Sequence, residues 1–216
     1  MTGEWKYTAM QQNKNMSKYS PIPKLSILIP SVPNRITTKM LSLFTKLEEQ
    51  IERLDNPKDV EILVFLDNKR RSIGYKRESL LYIARGNYVA FVDDDDLVEE
   101  HYIEKAIQAI DNSNNVDVIT FKERVYFNNN GPYVLTFELG YPNNDNPVTA
   151  VNAKRPPWHC CFWKRTLVQK FHFPDIMYGE DWAWVYQVNK VATTSYHIDD
   201  FMRTYVYNDT VTEAIV

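Results

Sequence analysis

Short apolar runs and helix-spaced apolar positions alternate along the first half of the chain. Leu25 to Ile29 is apolar apart from Ser26 and stops at Pro30, the pattern of a buried parallel strand. Met40, Leu43, Phe44, Leu47, Ile51 and Leu54 recur at helical spacing, which predicts a helix over 37–54 ended by Asn56-Pro57. Residues 60–66 predict a second buried strand. A helix over 72–84, a stop at Gly86-Asn87 and a strand over 88–92 repeat the plan. A helix from Leu97 to about Ile110 and a strand near 116–121 follow. This β-α alternation implies an α/β fold, Rossmann-like, with a mostly parallel central sheet flanked by helices.

The second half is patterned differently. Residues 125–137 predict a hairpin turning at Asn128-Asn129-Asn130-Gly131. Residues 143–154 are rich in Pro and Asn and read as a loop. Helices are expected over 163–170 and 181–191, before a strand-like tail. Residues 1–24 are polar, end at Pro21-Ile22-Pro23, and read as a flexible arm. The rest, 25–216, is expected to form one domain, with a donor-type half to about 121 and an acceptor half after it.

Composition narrows the function classes. The 216 residues are 44% hydrophobic and 25% charged, with a net charge of −3. That is globular composition without the basic field of a non-specific nucleic-acid binder. The longest apolar runs are too short to span a bilayer, and the N-terminus lacks the order of a signal peptide. The two cysteines, Cys160 and Cys161, are adjacent and make no disulfide framework. Two free thiols and a cytoplasmic protein are expected. One domain of a longer polypeptide would read the same way.

Ligands of open α/β sheets sit at the carboxyl ends of the strands, and there the chain places Asp93-Asp94-Asp95-Asp96. Four adjoining carboxylates repel unless a cation holds them. Hard oxygen ligands suit Mg²⁺ or Mn²⁺ bridging phosphates. The plainer reading, one Asp capping a helix at Leu97 and the others solvated, accounts for one or two of the four. EF-hand spacing, GxGxxG and GxxxxGK[ST] are all absent. Lys69-Arg70-Arg71 after the second strand is either a phosphate holder or a solvated loop.

A second acidic pair, Glu180-Asp181, lies beside Trp182 and Trp184. Acids at a helix start are favoured by the dipole alone. Aromatic neighbours can also exclude water and raise the basicity of a carboxylate, as a general base requires. Trp184, with Val185 and Val188, can equally be core.

Together these segments resemble the family-2 glycosyltransferases of GT-A fold, from Leu25 to about Thr212. Leu25 to Ser31 looks like the first strand and nucleotide loop, and Glu61 to Asp67 like the second strand. Gly74-Tyr75-Lys76-Arg77 with Ala84 to Asp96 looks like the run into the DXD motif, and Gly179-Glu180-Asp181-Trp182 like the later acidic motif. The resemblance implies a metal-dependent, inverting transferase using a nucleotide-sugar donor, a UDP-hexose by the carboxylate expected to read the base. It implies Asp67 at the base, Arg77 at the nucleotide, Asp94 near the ribose and Asp95 on the metal. Asp93, Asp96 and His197 are further metal candidates. Asp181 becomes the base with Glu180 supporting it. Pro30, Ser31, Arg35, Asp93, Trp158 and His159 join the donor pocket. The acceptor is a hydroxyl of unspecified kind.

The chain departs from the family pattern at two points. Asp67 is followed by Asn68-Lys69-Arg70-Arg71 instead of Asp-Gly-Ser, and Tyr207-Asn208-Asp209 stands where relatives carry Arg and His. Zinc at Cys160, Cys161 and His159 lacks a fourth ligand at suitable spacing. A sugar-nucleotide nucleotidyltransferase would need a Gly-rich loop where Pro30 to Arg35 has no Gly. A non-catalytic sugar-nucleotide-binding module is the other alternative.

Overall fold

The computed structural model describes residues 21–142 and 152–207. The expected arm therefore lies outside the described residues except for its last four, and most of the 143–154 loop lies outside as well. Pro23 and Lys24 already belong to the sheet: Lys24 N–H donates to Asp59 O at 2.7 Å, and Tyr88 N–H donates to Lys24 O at 2.9 Å.

Strand β1 (Leu25–Ser31) is buried along its whole length and runs parallel to both β2 (Val60–Leu66) and β3 (Tyr88–Phe91). Helix α1 (Leu41–Glu52) links β1 to β2, and α2 (Ile73–Ile83) links β2 to β3. A 3-10 turn (Pro33–Arg35) and a π-type turn (Ile36–Met40) precede α1. β2 forms the sheet edge, with Val64 and Leu66 exposed. The expected second strand is correctly placed, but it is not buried on both faces.

Leu97–Val98 is a short strand, β4, where a helix start is predicted, and helix α3 (Tyr102–Asn112) begins four residues later. β4 pairs antiparallel with the last strand, β9 (Ser195–Tyr207), through Leu97↔Thr204 and Val98↔Arg203. None of the four aspartates therefore caps a helix at Leu97.

The hairpin forms as expected, between β5 (Val118–Phe127) and β6 (Asn130–Phe137). Asn128 and Asn129 both take positive φ, as a two-residue hairpin turn requires. Short β7 (Ala153–Arg155) extends it beside β6. The helix expected over 163–170 is instead β8 (Phe162–Lys164) followed by one turn of helix, α4 (Arg165–Val168). β8 enters antiparallel between β3 and β5, while β9 runs parallel to β5. Helix α5 (Glu180–Asn189) matches expectation within two residues. The sheet order is β2-β1-β3-β8-β5-β6-β7, with β9 on β5 and β4.

Phe91, Phe173, Trp163 and Trp184 form the aromatic centre of the core, with Phe173 and Trp184 stacked at 4.7 Å. Trp184, Val185 and Val188 are thus core, as the alternative reading holds. No helix among the described residues is long and apolar enough to cross a membrane.

Candidate active site

At the carboxyl ends of β1, β2 and β3 the chain opens into a cleft of about 400 Å³. Pro30, Ser31, Val32 and Arg35 line it after β1, Lys69 and Arg71 after β2, and Asp93 to Asp96 after β3. The start of α5 brings Tyr178, Gly179, Glu180 and Asp181 to the opposite wall. Parallel strands side by side make this convergence automatic, because their loops all leave on one edge.

The repulsion expected within the aspartate run is met by cations from the protein itself. Arg77 Nη2 donates to Asp93 Oδ1 at 2.8 Å. Arg35 Nη1 donates to Asp94 Oδ1 at 2.7 Å, and Ser31 Oγ donates to Asp94 Oδ2 at 2.8 Å. Asp95 faces Arg35 at 3.3 Å and Lys39 at 3.4 Å. Buried Arg203 donates to Asp96 at 2.6 Å and to Glu123 at 2.8 Å. All four carboxylates are thereby met by side chains distant in sequence, and Asp95 has the most exposed carboxylate of the run. Burial resists ionisation of Asp93, yet Arg77 and His159 hold its carboxyl well below the usual range. Burial pushes Asp94 up, against the pull of Arg35 and Ser31.

Asp67 spends its carboxylate on its own loop. Oδ2 accepts from the N–H groups of Arg70 and Arg71 at 2.8 and 2.9 Å, and Lys76 Nζ lies 2.5 Å from Oδ1. Burial opposes these contacts, but Lys76 and the two amides prevail and hold Asp67 below its ordinary pKa. Lys76 also donates to Ser31 O at 2.9 Å, tying β2's loop to β1's.

At the other wall, Arg77 Nη1 donates to Glu180 Oε1 at 2.7 Å. One buried guanidinium therefore joins the aspartate run to the acidic pair. Gly74 lets α2 come this close: a Cβ there would lie 1.9 Å from Pro174 O. Gly179 takes φ +78° at the entry to α5, a conformation that favours Gly. Asp181 is held by two donors, Trp158 Nε1–H to Oδ2 at 3.2 Å and the Trp182 N–H to Oδ1 at 2.7 Å.

His159 lies buried behind both carboxylates, 3.7 Å from Asp93 Oδ2 and 3.5 Å from Asp181 Oδ2. Burial, with Arg77 nearby, lowers its pKa, so the ring is neutral at pH 7. Neither His159 nor Trp158, both expected in the donor pocket, lines the cleft; each reaches it through Asp181, and His159 also through Asp93. His197 is not brought here: it sits on β9 with Thr120 Oγ1 2.9 Å from its Nδ1. Among the described residues no group of three His, Cys, Asp or Glu side chains is spaced to hold a metal alone. Cys160 and Cys161 are free and buried. Asn208 and Asp209 lie outside the described residues.

Sequence reasoning missed Arg203. Its signal is an arginine following buried Met202 in a strand-like tail, an uncommon place for a charge without a buried partner.

Glu180 makes a pH prediction. Burial, with Asp181 beside it and against the pull of Arg77, raises its pKa from 4.5 to about 7. The folded state then binds a proton more tightly than the unfolded state, so the contribution to stability is present at low pH. It is lost as pH rises from 4.5 to about 7. Relative to Glu180→Gln, the wild type should lose on the order of 2 kcal/mol across this window. Denaturant titrations of both proteins at pH 5 and pH 8 measure it. An unchanging gap would show that Glu180 stays ionised throughout.

Comparison with known proteins now adds to this geometry. The profile of glycosyl transferase family 2 matches residues 45–175. No curated protein sequence matches the chain. The Staphylococcus aureus protein TarS (residues 1–349), solved in complex with UDP-GlcNAc, is similar in fold, with a TM-score of 0.59 at 16% identity. The match covers 89% of this chain and 62% of that one. TarS with UDP gives 0.58 at 17% identity, covering 85% and 60%. The mannosyltransferase PcManGT from Pyrobaculum calidifontis, in complex with GDP-Man and Mn²⁺, gives 0.53 at 12% identity, covering 88% and 58%. The chain thus spans less than two thirds of the length of each of these structures.

Proposed function

Because the chain belongs to glycosyl transferase family 2, we propose that its cleft binds a nucleotide-sugar donor and passes the sugar to an acceptor hydroxyl with inversion. The observation that carries this is the convergence of Ser31, Arg35, Asp93 to Asp96, Glu180 and Asp181 on one cleft at the strand ends. Asp181 takes the acceptor proton as the acceptor oxygen attacks the anomeric carbon. The bond from that carbon to the diphosphate breaks, and the nucleoside diphosphate leaves with its electron pair. Attack from the α5 wall, opposite the aspartate run, inverts the carbon without a covalent intermediate. The buried thiols suit a reduced compartment.

The residues present fit Mn²⁺ or Mg²⁺. Such ions take one or two carboxylates and complete their shell with water and substrate phosphate oxygens, so three clustered protein ligands are not needed. We assign the ion to Asp95, the most exposed carboxylate of the run, which binding would draw away from Arg35 and Lys39; Asp93 and Asp96 are committed to Arg77 and Arg203. When bound, the ion neutralises charge on the departing diphosphate. Arg35, Lys69 and Arg71 put further positive charge around the same space.

For the donor we favour a UDP-hexose. Asp67 is the carboxylate proposed for the imide N–H of uracil: the Arg70 and Arg71 amides occupy Oδ2 and Lys76 faces the buried Oδ1, so the base would have to displace one of these donors. The TarS complexes with UDP-GlcNAc and UDP agree with this choice. PcManGT with GDP-Man is the competing precedent.

Competition among UDP, dTDP, GDP and CDP, with Mn²⁺ and then with EDTA, tests the reading. UDP should bind tightest, and EDTA or Asp95→Asn should weaken UDP binding by at least about ten-fold, with folding unchanged. Tightest binding of GDP or CDP overturns the uridine assignment, and affinity and turnover indifferent to EDTA overturn the metal.

A further inference from the structure

Four side chains recur at intervals of four residues from the cleft outward: Tyr178, Trp182, Tyr186 and Lys190. Trp182, Tyr186 and the C-cap Lys190 share one face of α5, and Tyr178 precedes the helix. Tyr178 lines the cleft. Trp182 and Tyr186 are stacked, with ring centroids 5.2 Å apart and planes within 11°. Lys190 Nζ lies 3.8 Å over the Tyr186 ring. Tyr186 is therefore bounded by Lys190 and by Trp182, and it braces the indole of the residue that follows the cleft-lining Asp181.

This shelf is not the face that seats α5 on the core. Trp184, Val185 and Val188 do that from the buried face, whereas Trp182 and Tyr186 are 49% and 46% exposed. Two large rings held flat and open to solvent, beside a cleft, mark a surface that gains by being covered. Trp182 follows Asp181 directly, and its backbone N–H donates to Asp181 Oδ1 at 2.7 Å, so the main chain of the shelf's first ring is tied to the proposed base.

We propose that Trp182, braced by Tyr186, is the acceptor platform, and that the acceptor is a saccharide whose pyranose ring lays its apolar C–H face on the indole. This rests on the donor reading above and supplies the acceptor class that it leaves open. A pyranose is rigid, flat on one face and edged with hydroxyls, so stacking on Trp182 directs an edge hydroxyl towards Asp181. Charge favours a neutral sugar over a polyol phosphate. The head of the shelf carries Glu180 and Asp181, its one cation is at the far end on Tyr186, and Lys69 and Arg71 line the part of the cleft after β2.

The experiment titrates the 216-residue chain, labelled with ¹⁵N at its five indoles, with cellobiose, lactose and diacetylchitobiose, and separately with glycerol 1-phosphate. The Trp182 indole signal is assigned by its loss in Trp182→Phe. At least one disaccharide should shift it saturably. Trp182→Ala should weaken that binding by about ten-fold or more, and Trp182→Phe should stay within about three-fold of wild type. Three disaccharides without effect on the signal, undiminished binding by Trp182→Ala, or a larger response to glycerol 1-phosphate would each overturn the proposal. UDP with Mn²⁺, titrated into the same sample, separates the two readings. If UDP binds and no disaccharide does, the acceptor platform falls and the donor site stands. If a disaccharide binds and UDP does not, the donor site falls.

Discussion

Replacing Asp181 by Asn should lower kcat by about 10²–10⁴-fold, the range lost with a general base, while UDP affinity in Mn²⁺ stays near wild type. The amide has the shape of the carboxylate but cannot take the acceptor proton. It also has one acceptor oxygen for the two donors that hold Asp181, the Trp158 indole and the Trp182 N–H. One donor then faces an NH₂ group, at about 1 kcal/mol in stability, too little to unfold the protein. Steady-state kinetics with calorimetry of UDP binding separates the two effects. A kcat equal to wild type would move the role to Glu180. Geometry argues against that: Glu180 is buried, and its carboxylate is held by Arg77 at 2.7 Å, whereas Asp181 reaches the cleft with a more open side chain.

The donor-side fold was readable because its signals are local. β1, α1, β2, α2 and β3 each bury a face set by their own residues, and stops such as Asn56-Pro57 and Gly86-Asn87 fall between them, although β1 runs through Pro30 to Ser31. β4 and β8 were misread because their partners are remote. Leu97-Val98 is apolar enough to begin a helix, and its pairing with Arg203 and Thr204 more than a hundred residues on makes it a strand. Phe162-Trp163 is a short apolar run whose period does not separate strand from helix, and its place between β3 and β5 decides it. At the site, the acid runs singled out in the sequence line one cleft, but their counter-charges were not legible. Sequence reasoning put Arg77 at the nucleotide, Asp94 near the ribose and Asp95 on a metal with Asp93 and Asp96 as further candidates, and it left unread that Arg77 also bridges Asp93 to Glu180 and that Arg203 holds Asp96. Ion pairs across 16 to 107 residues leave no trace in periodicity.

Arg77 is accordingly the residue whose loss should most affect stability. It is 4% exposed and donates to two carboxylates on opposite walls of the cleft. Arg77→Ala leaves Asp93 and Glu180 without their shared cation, and breaking a buried pair in this way destabilises by about 3–5 kcal/mol. For a chain of this size that lowers Tm by roughly 10 °C. Loss of the side chain from its place near Phe91 contributes too, and pH separates packing from charge. Without Arg77 both carboxyls have raised pKa values in the folded state. Their protonated forms limit the destabilisation at low pH, and it grows as pH rises through those values. The Tm difference from wild type should therefore be larger at pH 8 than at pH 5. Adding Glu180→Gln should recover part of it at pH 8, since one of the two stranded charges is gone. Arg77→Lys keeps the charge but not the planar fork that reaches both acids, and should fall between wild type and Ala. A Tm loss equal at both pH values, with no recovery by Glu180→Gln, would mean that Arg77 acts by packing alone and that the two walls are not joined through its charge.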